Sequence, residues 1–114
     1  DLARFAGAFS DPSTCPLLRE ESIREMWAPQ EEEHGAVWYG LGWIVRDVGG
    51  ERRNAWHMGL LTGGTSTIMV RRHDGFSWAV LFNTDRSATT RKTLAGLVDP
   101  LVHRAVDGIE LWRR

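Results

Sequence analysis

Leu2, Phe5, Ala6 and Phe9 fall at the i, i+3, i+4, i+7 spacing of one helix face, and Ser10-Asp11-Pro12-Ser13 then breaks the pattern. A short helix is expected there. Ile23, Met26 and Trp27 repeat the helical spacing, with Glu20 and Glu21 placed early, where they suit the positive end of the helix dipole, and Pro29 beyond the end. The polar run Glu31-Glu32-Glu33-His34-Gly35 reads as an exposed connection. From Val37 the period changes to two, with Tyr39, Leu41, Trp43 and Val45 on one face and Trp38, Gly40, Gly42, Ile44 and Arg46 on the other. This predicts one strand over 37–47. Gly49-Gly50 supplies the positive φ of a tight hairpin, so 53–59 should return antiparallel. A loop over 60–64 is expected next, then strands over 65–72 and 76–83 joined by the turn His73-Asp74-Gly75. The centre of the chain is therefore expected to be a four-strand meander.

In 76–82 both alternating sets are mostly apolar, which fits a strand covered on both faces, so helices should flank the sheet. Leu94, Leu97, Val98, Leu101, Val102, Ala105, Val106 and Ile109 form a long helical stripe interrupted at Asp99-Pro100. Either the helix kinks at Pro100, or a second helix begins with Asp99 as N-cap and Pro100 at its first position. The fold class expected is α+β, an antiparallel meander flanked by helices.

A length of 114 residues suits one domain, 1–114, burying about two-thirds of its unfolded surface. Hydrophobic residues at 42% and charged residues at 25% exclude a disordered chain. Net charge is −1, so no overall positive field attracts nucleic acid. The basic residues are arginine apart from Lys92, and the pairs Arg52-Arg53, Arg71-Arg72 and Arg113-Arg114 read as solvated strand ends. Cys15 is alone and can form no intrachain disulfide. No apolar run approaches a membrane helix of about 18 residues. The chain starts at Asp1 rather than Met and runs at once into a helical repeat, so a piece of something longer is expected.

Candidate chemistry centres on His57-Met58-Gly59, at a strand end, with glycines at 63 and 64 following. Histidine donates or accepts a proton near neutral pH, Gly59 leaves room beside a strand edge, and the Leu60 N–H is placed to meet an oxyanion. A purely structural histidine and turn glycines fit the same residues. His34, His57, His73 and His103 have no metal-ligand spacing, and the glycines at 59–64 lack the lysine of a phosphate loop. No metal or other cofactor is expected. Of six tryptophans, Trp43 and Trp78 sit in core-like strand patterns, while Trp38, Trp56 and Trp112 remain open to a carbohydrate-binding role.

Tyr39-Gly40-Leu41-Gly42-Trp43, then His57-Met58-Gly59 with Gly64 and Ser66, then Leu81-Phe82-Asn83, resembles the C-terminal third of the serine β-lactamase-related hydrolases. This family groups class C β-lactamases, D-alanyl-D-alanine carboxypeptidases and penicillin-binding-protein-like esterases. The opening Asp1-Leu2-Ala3-Arg4-Phe5 and the segment from Leu17 to Met26 also follow its order. The resemblance implies the C-terminal portion of a three-layer αβα fold and a parent enzyme performing acyl transfer on an ester, a β-lactam or a D-Ala peptide. It implies that His57 belongs to the third active-site motif, in its His-x-Gly form, and that the Leu60 N–H beside Gly59 forms half of an oxyanion hole. The Ser-x-x-Lys nucleophile motif and the Tyr of the second motif are missing from these 114 residues, so the chain alone should be inactive. Met58 replaces the Thr or Ser often found there, which favours an ester over a penicillin. The implied partners are the remainder of the catalytic domain, the small-molecule substrate, and a second copy paired through strand 76–83. The alternative is a non-catalytic binding or assembly module with similar strands.

Overall fold

A computed structural model describes residues 1–87, 89–90 and 92–109; Trp112 and the pair Arg113-Arg114 lie outside the described residues. The chain is α+β. Helices α1 (Leu2–Gly7) and α2 (Glu20–Met26) flank a 3₁₀ turn (Pro12–Thr14), five strands follow, and α3 (Leu94–Asp107) closes the order. The strands are β1 (Val37–Tyr39), β2 (Ile44–Asp47), β3 (Arg53–Leu61), β4 (Thr65–Arg71) and β5 (Ser77–Phe82). They form an antiparallel sheet in chain order, β1 to β5.

The strand expected over 37–47 is two strands. Val37, Trp38 and Tyr39 pair with Arg46, Val45 and Ile44, so the chain reverses between Tyr39 and Ile44. Gly42 turns it with φ +76°, and the Gly40 N–H donates to the Trp43 carbonyl at 2.8 Å. Gly40 itself lies against the end of α2, where an added Cβ would collide with the Met26 carbonyl oxygen. That carbonyl accepts the Leu41 N–H at 2.8 Å. The meander therefore has five strands, not four. The hairpin expected at Gly49-Gly50 is present, both glycines having positive φ, and Val45 and Ala55 pair across β2 and β3.

The chain divides into two compact units. The first is Asp1–His57 with Met69–Ala79; the second is Met58–Ile68 with Val80–Arg114. In the first, Phe9, Ile23 and Trp27 pack with Trp43, Val45 and Ala55, all at most 4% exposed. The Phe9 ring meets Trp43 edge-on at 5.5 Å and Trp27 at 6.5 Å. Paired Val45 and Ala55 are small, which lets the rings approach the sheet, and each buried large side chain contributes about 1.5–3 kcal/mol. Arg71 is buried beside them, its Nε, Nη1 and Nη2 donating to the carbonyls of Phe9, Arg53 and Ser10 at 2.9, 2.7 and 2.6 Å.

The second unit is sparsely packed. Ser66, Ile68 and Ala95 are its buried residues among those described, and the Ala95 N–H in the first turn of α3 donates to Ser66 Oγ at 3.3 Å. Thr93 caps α3 by accepting the Gly96 N–H at 3.2 Å. The helix runs through Pro100 without a second start, so Asp99 is an interior residue 3.6 Å from His103 rather than an N-cap. Of the expected stripe, Leu94, Leu97, Val98, Val102, Val106 and Ile109 are half-buried, while Leu101 and Ala105 are exposed; the buried residue of the helix, Ala95, lies outside that stripe. The two-sided cover expected for 76–82 is likewise incomplete, since Leu81 is 63% exposed.

Candidate functional site

His57 stands on β3 two residues beyond buried Ala55, where the strand leaves the aromatic core and its side chain becomes exposed. The β1–β2–β3 register sets Tyr39, Ile44 and Trp56 in one row, which puts Tyr39 next to His57. The Tyr39 hydroxyl lies 2.8 Å from His57 Nε2, and the two rings meet edge-on at 6.2 Å. A hydrogen bond at Nε2 fixes the ring plane and leaves Nδ1 as the second proton-carrying position. Both side chains are open to solvent and to a ligand.

Strand alternation alone puts Tyr39 on a strand and gives it no role beside His57. The signal that finds it is the Gly40-Leu41-Gly42 turn, because only a reversal there brings β1 back beside the strands that follow. A cavity of about 480 Å³ adjoins Tyr39, lined by Glu31, Glu33, His34 and Trp38 among others. His34 and Trp38 stack obliquely at 5.0 Å within the first unit.

Gly59 and Leu60 belong to the second unit and sit inside β3, which continues to Leu61; the loop expected from 60 begins later. A Cβ on Gly59 would come within 2.5 Å of Thr67 Oγ1, so the residue is small where a neighbouring side chain approaches. Leu60 is 48% exposed, as is Met58. The turn after Leu61 is closed by Asp85, whose carboxylate accepts the Gly63 N–H at 2.8 Å. That hydrogen bond holds the Asp85 carboxyl below its ordinary range. Ser66 is fully buried against α3 and is no candidate nucleophile.

The remaining histidines are dispersed: His34 on the exposed connection, His103 on α3, and His73 on Asn54. Among the described residues no three His, Cys, Asp or Glu side chains group as metal ligands. Trp38 is tied inward, its Nε1–H donating to the Trp27 carbonyl at 2.9 Å, and Trp56 lies under the Arg46 guanidinium at 5.6 Å. Neither presents a free stacking platform, and Trp112 is outside the described residues. No helix among the described residues is long and apolar enough to cross a membrane. Comparison with family models, curated proteins and solved structures finds no match for this chain.

Proposed function

We propose that this chain is the third-motif portion of a β-lactamase-like serine hydrolase, with His57 as its proton-handling residue and the Gly59-Leu60 backbone as part of the oxyanion site. The observation that carries this reading is the Tyr39–His57 hydrogen bond at 2.8 Å, which orients an exposed imidazole on the same strand that carries Gly59. General acid–base catalysis needs an oriented, reachable group of this kind. The side chain of Met58 donates no hydrogen bond to a substrate carboxylate, which favours an ester over a β-lactam. The cavity beside Tyr39 offers space for the part of the substrate remote from the reacting bond. The serine nucleophile and its activating lysine come from the rest of the catalytic domain, the partner this reading requires.

Acyl transfer in such a site cannot proceed without the serine, so the isolated chain is expected to turn over neither nitrocefin nor p-nitrophenyl acetate. Joined to the remaining catalytic domain, His57→Ala is expected to lower kcat/KM by roughly 10² or more, with Tyr39→Phe producing a smaller loss. Turnover by the isolated chain that persists through repurification, or an assembled enzyme indifferent to His57→Ala, would overturn the assignment. A non-catalytic assembly module is the second reading, favoured by the exposed Met58, Leu60, Leu61, Leu81 and Leu101 of the second unit. An assembled protein without hydrolase activity would support it.

A further inference from the structure

Arg52 and Arg53 come together in the first unit with Arg71, which is separated from them in sequence. A cleft of about 670 Å³ is lined by Arg52 and Arg53 at the start of β3, Arg71 at the end of β4, and Arg24 on α2. Glu20 and Glu51 are its acidic residues, so four arginines face two carboxylates. Glu20 is already engaged by Arg24 at 2.6 Å. Arg52, Arg53 and Arg71 have no ion-pair partner among the described residues.

Each of these three is held in place by something other than an acid. The Arg52 Nε donates to the Gly49 carbonyl at 3.0 Å, which leaves both Nη groups of its fork for another acceptor. The Arg53 guanidinium lies over the Trp38 ring at 5.5 Å, a contact that orients the plane without using its N–H donors. Arg71, over Trp27 at 4.9 Å and bonded to three carbonyls, contributes charge from a buried position, where water screens it less. His73 completes the lining. Asn54 Oδ1 accepts both the His73 backbone N–H and Nδ1–H, each at 3.0 Å, so Nε2 is left as an acceptor. Burial holds this imidazole below its ordinary titration range, so it adds no charge at neutral pH.

We propose that this cleft is a binding site for a small multivalent oxyanion, a phosphorylated or polycarboxylated molecule. Guanidinium forks match phosphate and carboxylate oxygens in pairs, and fixed cations that outnumber the carboxylates lining the cleft favour an anion of more than one charge. None of the cleft residues belongs to the Tyr39–His57 pair, so the inference stands apart from the hydrolase reading.

The test is calorimetric titration of the whole chain with pyrophosphate and with citrate, at ionic strength matched by sodium chloride. Saturable one-site binding of either is expected; pyrophosphate alone assigns a phosphorylated ligand and citrate alone a polycarboxylate. Arg52→Gln, a change at an exposed residue, should weaken binding about tenfold, and Glu51→Gln should strengthen it about threefold. Arg46→Gln, whose side chain lies on Trp56 outside the cleft, should leave binding unchanged. Failure of both anions to saturate, or equal losses from Arg46→Gln and Arg52→Gln, would overturn the proposal.

Discussion

Arg71 carries a formal charge into the first unit at 5% exposure, and three backbone carbonyls together with the Trp27 ring replace the water it loses. Desolvation pulls its pKa down, while Asp74 and Asp11 act in the opposite sense. His73 is a smaller version of the same balance. Burial lowers its pKa from 6.5, against the pull of Asp74, so the unfolded chain takes up a proton before the folded one does as pH falls. The stability due to neutral His73 is therefore complete above 6.5 and declines as pH drops through that value. At lower pH Asp74 adds a second loss: burial raises its pKa, but the Arg72 ion pair at 2.7 Å more than compensates and holds it down. Urea midpoints measured at pH 7.5 and 5.5 should fall between the two, and His73→Gln should flatten the slope. Equal slopes for the two proteins would refute a role for His73.

Among the elements, the β1–β2 hairpin is the one that local patterning misreads. Alternation at 37–46 continues unbroken through Gly40, Leu41 and Gly42, because a tight turn carrying glycines at every second position imitates a strand. The turn is set by two different requirements. Gly42 needs a left-handed backbone, and Gly40 needs the absence of a Cβ beside the Met26 carbonyl. Gly42→Ala is expected to cost about 1 kcal/mol. Gly40→Ala should cost about 2 kcal/mol or more, because a backbone carbonyl cannot rotate away as a side chain would. It should also weaken the Tyr39–His57 pairing. Denaturant unfolding of both variants gives the order, and a Gly42→Ala loss larger than that of Gly40→Ala would contradict the close-approach argument.

For the whole molecule, the sheet order leaves β1 and β5 as edges. β1 has three residues and β5 has six, so β5 is the longer edge strand among the described residues. Leu81 on that strand is 63% exposed. Two copies pairing through 76–83 would extend the sheet across a two-fold axis and cover this side chain. Sedimentation over a range of concentrations should register a monomer–dimer equilibrium, weakened by Val80→Pro, which removes a backbone donor from the strand. A constant single-chain mass at high micromolar concentration, or a dimer unaffected by Val80→Pro, would refute edge pairing.

The helices at both ends, the hairpin at Gly49-Gly50, the turn at 73–75 and the strands on either side of it are legible in the chain itself. Each is set by forces acting within a few residues: apolar spacing, capping and turn chemistry. His57 and Gly59 are legible too, as a proton-carrying residue and a small one on a shared strand. Register across β1, β2 and β3 decided the rest. It brought Tyr39 to His57, and non-local packing brought Arg52 and Arg53 to Arg71, with 17 positions between Arg53 and Arg71 in the chain. No local period encodes such pairings, because they depend on which strand lies beside which and on what the aromatic core holds in place.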